Sequence, residues 1–341
     1  MGAISTFLKS VLDGINSVIG SYGWSVMVFT LLVRLILFPF DYKSRVSMRK
    51  TAAIQPKMAE LQKKYGKDQE KLQRKMSELY KKEHVSPLSG CWPMLLTYPI
   101  LIAMWSAMRS IANEQIVGQI LQMLQDTSGT SELPAFEGWL WIRNIWMPDT
   151  PFASVLPDLK TLNQISGEVW TKLFTPEVIA TLPGELSQFT ESSFAKASLQ
   201  ATVQQVYDAL KALPVYQAHG GAVPGWTFNF LIFNVSLMKE YNGLLLLPIL
   251  SAVSQFVMTK LTPATQQPTP NDQAPQQNSM KFLNYFFPIF SLWICLTYNG
   301  AFSLYWVTSN LIALVQTVCI NKYLDMKDKK HQAETVEGTV I

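Results

Sequence analysis

Arg34 is a lone cation inside the apolar run WSVMVFTLLVRLILFPF at residues 24–40. That run is about the length a bilayer-spanning helix needs. An arginine near its middle is costly in hydrocarbon unless it faces water or a polar partner. The chemistry such a residue offers is attraction for an anionic group, or a site that keeps water at bilayer depth. Other apolar segments carry polar residues at matching intervals. Thr30 and Arg34 are four apart, Thr97 and Tyr98 are adjacent, and Ser251, Gln255 and Thr259 follow at steps of four. Tyr298 and Asn299 close a fourth segment, and Trp306 and Asn310 are four apart on a fifth, beside Tyr305 and Ser309. Residues three or four apart share a helix face, so these groups are expected to line one polar chamber.

Five segments must position them: residues 22–40, 88–109, 244–261, 281–299 and 301–323. Hydrophobic residues make up 48% of the 341-residue chain and charged ones 15%, against a soluble norm of about 25% charged. Five such segments in one chain argue for membrane spans rather than buried core helices. The fold class expected is an all-α membrane protein, with five transmembrane helices around a hydrophilic groove. The net charge of +4 says less than its distribution. Residues 41–87 carry 13 Lys/Arg against 6 Asp/Glu, whereas residues 110–243 carry 6 against 12. The positive-inside rule then puts 41–87 in the cytosol, the N-terminus outside and the C-terminus inside.

Residues 1–21 place Ile4, Phe7, Leu8, Val11, Leu12, Ile15, Val18 and Ile19 on one helical face, as in a helix lying in the membrane interface. A cleaved signal peptide is the rival, but the basic n-region and small-x-small cleavage site are absent here. Residues 41–87 read as a cytosolic basic helical hairpin. Ile54, Met58, Leu61 and Tyr65 face Leu72, Met76 and Leu79 across a turn, with Gly66 suited to a C-cap and Asp68 to an N-cap. Pro56 is expected in a first turn. The hairpin's charges either keep it soluble or dock anionic partners: lipid headgroups, ribosomal RNA or an acidic protein surface.

Residues 110–243 form a large extracytosolic loop. Within it, 110–125 continue the second helix, the tryptophan-dense stretch 136–152 grazes the interface, and about 155–226 are an inserted domain with a helix across 185–211. Residues 262–280 are Pro/Gln/Thr-rich and read as a disordered cytosolic loop, and 324–341 as a charged, frayed cytosolic tail. Cys91, Cys295 and Cys319 lie in or beside apolar segments and imply no disulfide framework. His84, His219 and His331 share no ligand spacing with them, so neither a metal nor a cofactor is expected. A Walker loop, a dinucleotide turn and a nucleophile elbow are also missing from the sequence.

Ser, Thr and Asn in spans can be ordinary interhelical glue worth about 0.6 kcal/mol each. Arg34 is different, because none of the five spans contains an Asp or Glu to neutralise it. Either the chamber is open to water, or Arg34 snorkels toward the cytosolic edge.

The stretches LVRLILFP from Leu32 to Pro39, Gln55-Pro56, PLSGCWP from Pro87 to Pro93, and Tyr98-Pro99-Ile100 occur in that order. They are followed by Trp141-Ile142, Pro148-Asp149, Leu247-Pro248 and LYWVTSNL from Leu304 to Leu311. In this order, around a basic hairpin, they resemble the YidC/Oxa superfamily of membrane protein insertases, the five-span bacterial type. The resemblance implies a groove open to the cytosol and to lipid but closed toward the outside. The resemblance matches Arg34, Thr30, Thr97 and Gln255 to groove positions and Trp306 to a substrate-contacting one, and the spacing adds Tyr98, Tyr305 and Asn310 to the substrate groove. Thr97 falls where many relatives carry glutamine. Relatives of similar layout have a short loop between spans two and three, whereas here nearly a hundred residues separate Asp149 from Leu247.

The expected function is insertion of nascent membrane proteins into the bilayer without nucleotide hydrolysis, so not an enzyme, at a bacterial plasma membrane. Partners implied are nascent membrane proteins and membrane lipids, with the ribosome and a Sec translocon as further candidates and no sequence-specific nucleic acid. A small-solute transporter or channel gated by the hairpin is the alternative. A lipid enzyme would need a catalytic constellation at a span boundary, where neither a His/Asp pair nor clustered carboxylates occur.

Overall fold

The computed structural model describes residues 2–84, 92–126, 128–219, 224–229, 234–261 and 275–337. In chain order, its long helices begin with α1 (Gly2–Ile19), α2 (Tyr22–Tyr65), α3 (Gln69–Lys82) and α4 (Trp92–Gln125). Short helices α5 (Leu159–Leu162), α6 (Gly167–Leu173) and α7 (Pro176–Ile179) follow, then α8 (Leu199–Ala212) and α9 (Pro214–His219). A hairpin of β1 (Pro224–Asn229) and β2 (Asn234–Met238) precedes α10 (Leu246–Leu261), α11 (Pro275–Thr297) and α12 (Gly300–Glu337). The chain is mostly helical. Among the described residues, α2 and the stretch Gly300–Lys329 of α12 are long and apolar enough to cross a bilayer by length and composition. Leu246–Leu261 and Tyr285–Thr297 are shorter apolar helices.

The chain divides into two compact units. The first comprises Met1–Met27, Ala103–Ile249 and Leu292–Tyr305. Here α1 ends at Gly20, whose φ of +73° is the left-handed conformation that glycine adopts at no steric cost. Its N–H donates to the Asn16 carbonyl at 2.8 Å. The first amide of α2, on Tyr22, donates to Glu137 at 2.9 Å, which satisfies one of the donors a helix start leaves unpaired. Gly23 is required by its neighbour, since a Cβ there would meet the Trp139 ring at 2.1 Å.

Two features of this unit differ from the sequence reading. In the tryptophan-dense stretch Trp146 and Trp139 are turned inward, buried edge-on to Tyr22 and Trp24, while Leu140 and Phe152 keep apolar surface exposed. Polar anchors draw it in. Buried Asn144 is hydrogen-bonded to Gln119 of α4, and buried Asn242 donates to the carbonyls of Asn144, Met147 and Pro148. The helix expected across 185–211 is instead two 3-10 turns, Gly184–Gln188 and Glu191–Phe194, followed by α8. Thr190 and Ser193 satisfy each other's backbone in a capping box. This is the competition by which hydroxyl side chains interrupt a helix. The break lets Phe194 enter a buried aromatic cluster with Trp170 and Phe174, ring centroids 6.1 and 5.1 Å away.

The second unit comprises Val28–Ile102, Leu250–Ser291 and Trp306–Ile341. At 44 residues, α2 would be about 66 Å long at 1.5 Å per residue, twice the depth of a hydrocarbon core. It runs without a break through Pro39 and Pro56. Pro56 is therefore deep inside a helix and not in a first turn. Its ring lies on an exposed side of α2, where water can bond the carbonyl that loses its partner. Asp68 caps α3, accepting from the Lys71 N–H at 3.0 Å. Gly66 does not cap through a left-handed φ. Its role is clearance, because a Cβ there would press to 2.6 Å of the Gln62 carbonyl. Tyr80 and Met58 meet across the turn, and Lys57 pairs with Glu83 at 2.7 Å. The tail expected to fray from 324 is helical as far as Glu337. The loop expected at 262–280 lies outside the described residues up to 274, and its last residues belong to α11.

Candidate functional site

The polar residues of the second unit meet along α2 and α12, both of which are otherwise studded with exposed apolar side chains. Leu31, Leu32, Leu35, Ile36 and Phe38 on α2, and Leu311, Val315 and Val318 on α12, are 41–71% exposed. Such a surface would be a liability in water and is ordinary in lipid. Arg34, by contrast, is largely shielded, its side chain 18% exposed. Its Nε and one terminal nitrogen both donate to Ser309 Oγ, at 2.9 and 2.7 Å. Its other terminal nitrogen stands 3.8 Å from Asp41 Oδ2. That distance is too long for a hydrogen bond, so Asp41 offsets the charge without clamping it. Gln316 donates to the Arg34 carbonyl at 3.3 Å.

From the five spans alone, Arg34 is expected to lack a carboxylate partner. Asp41 corrects this: it lies just past the apolar run, and two helical turns bring it back to the same face. Arg45, one turn further, donates to Thr317, and Arg49 pairs with Asp325 and Asp328 near the end of α12. Facing α2 is therefore a rank on α12 that runs in the same direction, Ser309, Thr317, Asp325 and Asp328. Two buried polar atoms in this region, Arg45 Nη1 and Gln316 Oε1, have no hydrogen-bond partner among the described residues.

A second set of bonds joins α12 to α10 and α11. Trp306 Nε1 donates to Ser291 Oγ at 2.7 Å, Asn310 to Ser254 Oγ at 3.3 Å, and Ser251 to the Ser291 carbonyl at 3.1 Å. Ser254 in turn donates to the Ser251 carbonyl at 2.9 Å. Of the residues singled out from sequence, Arg34 and Ser309 thus meet on the α2 side of α12, and Ser251, Trp306 and Asn310 take part in the hydroxyl-rich bonds on its α10–α11 side. Thr30 is buried one turn before Arg34, and Gln255 is half-buried beside Ser254. Tyr305 belongs to the first unit and is buried against Phe302, their ring centroids 6.3 Å apart. The side chains of Thr97 and Tyr98 fall outside the described residues. Asn299 has a capping role. Its Oδ1 accepts from the Phe302 N–H at 2.9 Å and caps α12.

Asp41, Arg45, Gln316, Thr317, Ser254 and Ser291 were not singled out from sequence. For the first two the spacing is in the sequence: Asp41 and Arg45 follow Arg34 by seven and eleven residues, and they share its face because α2 continues through Pro39. For Ser254 and Ser291 no local signal exists, since only the packing of three helices reveals their partners.

The first unit holds a second polar node at the start of α10. Asp149 is fully buried and accepts from the N–H groups of Leu244 and Leu247, at 2.9 and 2.8 Å, and from Trp141 Nε1 at 3.1 Å. A carboxylate at a helix N-terminus is favoured both by hydrogen bonding and by the helix dipole. Gly243 permits the approach, since a Cβ would lie 2.0 Å from Asp149 Oδ1. This node joins two of the stretches that carried the resemblance, Pro148-Asp149 and Leu247-Pro248.

Comparison with known proteins places the chain in a family. A family model described as 60Kd inner membrane protein matches residues 14–216 and 199–329. Three similar proteins all bear the name membrane protein insertase YidC. That of Clostridium perfringens is 35% identical over 188 residues, 55% of this chain and 69% of its own. That of Helicobacter pylori is 33% identical over 181 residues, 52% of this chain but 28% of its own length. That of Prosthecochloris aestuarii is 25% identical over 318 residues, 93% of this chain and 36% of its own. The chain thus matches only about a third of the length of the latter two. With the family model matching most of its residues, this chain belongs to the YidC/Oxa family of membrane proteins.

Proposed function

We propose that the protein inserts nascent membrane proteins into the lipid bilayer, without nucleotide hydrolysis, through a polar groove open to the cytosol and to lipid. In this reading five segments cross the membrane, at 22–40, 88–109, 244–261, 281–299 and 301–323, with the N-terminus outside and the C-terminus in the cytosol. The groove residues are Arg34, Thr30, Thr97, Tyr98, Gln255, Tyr305, Trp306 and Asn310, to which Ser309 and Asp41 are added.

One observation carries the reading: the Arg34 guanidinium is held among apolar-surfaced helices by a neutral hydroxyl, with a carboxylate 3.8 Å away that does not close on it. A cation so incompletely matched favours an arriving carboxylate or phosphate over bulk lipid. The orphaned Arg45 Nη1 and Gln316 Oε1 support hydration at the same level, because buried polar atoms without protein partners are ordinarily met by water. A polar substrate segment entering there leaves bulk water at reduced cost. Its apolar segment then passes along the exposed aliphatic faces of α10 and α12 into lipid, driven by hydrophobic transfer.

The test is an insertion assay in proteoliposomes with Arg34→Ala, Arg34→Glu and Arg34→Lys. Insertion of acidic-tailed substrates should fall in the alanine variant, fall further in the glutamate variant and be largely kept in the lysine variant. Undiminished insertion with glutamate overturns the role of charge. A neutral polar replacement that retains activity assigns the effect to hydration. Solute flux in the same vesicles without any substrate protein would favour a transporter instead.

A further inference from the structure

The β1–β2 hairpin has two chemically different faces. Trp226 pairs with Leu237 across the strands, and Phe228 lies on the same side as Trp226, two residues on. On the other side Thr227 pairs with Ser236, their hydroxyls 3.2 Å apart. The apolar side is uncovered, with Trp226 71% and Phe228 47% exposed. A lone two-stranded ribbon is at best marginally stable in water, and this one forms its own two-stranded sheet. Trp226 and Phe228 therefore present apolar surface that no described residue covers.

We propose that the hairpin is a membrane-interface anchor whose Trp226–Phe228–Leu237 face rests in the outer leaflet of the bilayer. Three observations select lipid as the occupant. The nineteen residues 220–238 contain no ionisable side chain, so the face has neither the charged rim nor the steering charges with which a protein partner would be oriented. Charge returns at once beyond it, at Lys239 and at Glu240, which pairs with Arg143.

The second observation is the hairpin's tether. The Met238 N–H donates to the Pro151 carbonyl, the Val155 N–H to Glu240 and the Asn242 N–H to Ala153. The same short segment begins with Asp149, which caps the first turn of α10. The hairpin base and the start of an apolar helix are therefore held to one short stretch of chain. The third is composition: tryptophan and phenylalanine are the side chains that gather at the headgroup boundary. The exposed side chains of Phe152, Tyr241, Leu244 and Leu246 carry apolar surface along the chain from the hairpin base to α10. The inference requires that α10 enter the bilayer near Leu246. It does not require that the protein act as an insertase.

The full chain, with Cys91, Cys295 and Cys319 replaced by serine, is labelled with an environment-sensitive fluorophore at Trp226→Cys, Phe228→Cys, Leu237→Cys, Thr227→Cys or Ser236→Cys and reconstituted in liposomes. Labels at 226, 228 and 237 should be blue-shifted. Lipids brominated near the headgroup should quench them several-fold more strongly than labels at 227 and 236, and iodide in the outer solution should show the reverse order. Equal lipid quenching on both faces overturns the proposal. So does a blue shift at 226 without lipid quenching, which would mean that a second copy or another protein covers the face. Should Trp226→Cys not fold, Leu237→Cys reads the same face from the partner strand. Insertion activity measured on the same vesicles is a separate outcome, so failure of the anchor and failure of the insertase reading are told apart.

Discussion

Arg34 and Asp41 lie two turns apart on one uninterrupted helix, with their charged groups 3.8 Å from each other. The separation leaves an ion pair without a hydrogen bond, while Ser309 takes both of the donated bonds. Asp41 is thus an intramolecular competitor for whatever acidic group approaches Arg34.

Removing that competitor should favour acidic substrates. The pair is partly shielded, with side-chain exposures of 18% and 22%, so its strength is on the order of 1 kcal/mol, or about fivefold in an equilibrium. Asp41→Asn should raise insertion of an acidic-tailed substrate by up to that factor and leave a neutral-tailed one unchanged. Equal insertion of both substrates by wild type and variant would show that Asp41 does not compete.

The Asp149 node should matter for stability more than for substrate choice. Asp149→Ala leaves the buried amides of Leu244 and Leu247 and the Trp141 indole without their acceptor. A buried charge-assisted bond is worth about 1.5–3 kcal/mol, so a clear drop in thermal midpoint is expected, with the refolded protein showing altered protection at the start of α10. Gly243→Ala should act in the same direction, because its Cβ would occupy the position of Asp149 Oδ1. An unchanged midpoint in both variants would remove the node from the list of structural determinants.

Glu114 gives a pH dependence of known sign. Burial pushes its carboxyl upward, but hydrogen bonds from Lys9 and Lys172 and their positive charge outweigh it and hold the pKa below 4.5. A carboxylate depressed in the folded state adds stability that is fully present above its unfolded pKa. That stability is lost as pH falls from about 4.5 through the lower folded value. The thermal midpoint of wild type should therefore drop more steeply over that window than that of Glu114→Gln. Parallel pH profiles would show that the two lysines do not hold Glu114 ionised.

Apolar run length and the position of Arg34 pointed to α2, and Asp68 as a cap to the start of α3, because each depends on neighbours within a few residues. Pro56 misled, since proline is a helix breaker only where its lost hydrogen bond cannot be replaced, and its exposed position decides that. The stretch 185–211 misled because helix propensity was read without the local competition of Thr190 and Ser193. The tryptophans at 139 and 146 were read as interfacial by composition, and only the long-range bonds of Asn144 and Asn242 show them turned inward. In the site, Arg34, Trp306 and Asn310 could be chosen from spacing, whereas Ser254 and Ser291 depend on three helices packing side by side. No periodicity within one segment encodes that.

The central claim is that a membrane segment in transit passes Arg34 and the hydroxyl-rich bonds of α12. The most direct measurement is photocrosslinking from a probe at Trp306, and a second at Gln255, to ribosome-stalled nascent chains in native membranes. Crosslinks to chains that carry a membrane segment, absent with soluble chains of equal length, are the predicted result. Equal labelling of both kinds of chain, or of neither while insertion proceeds, would contradict it.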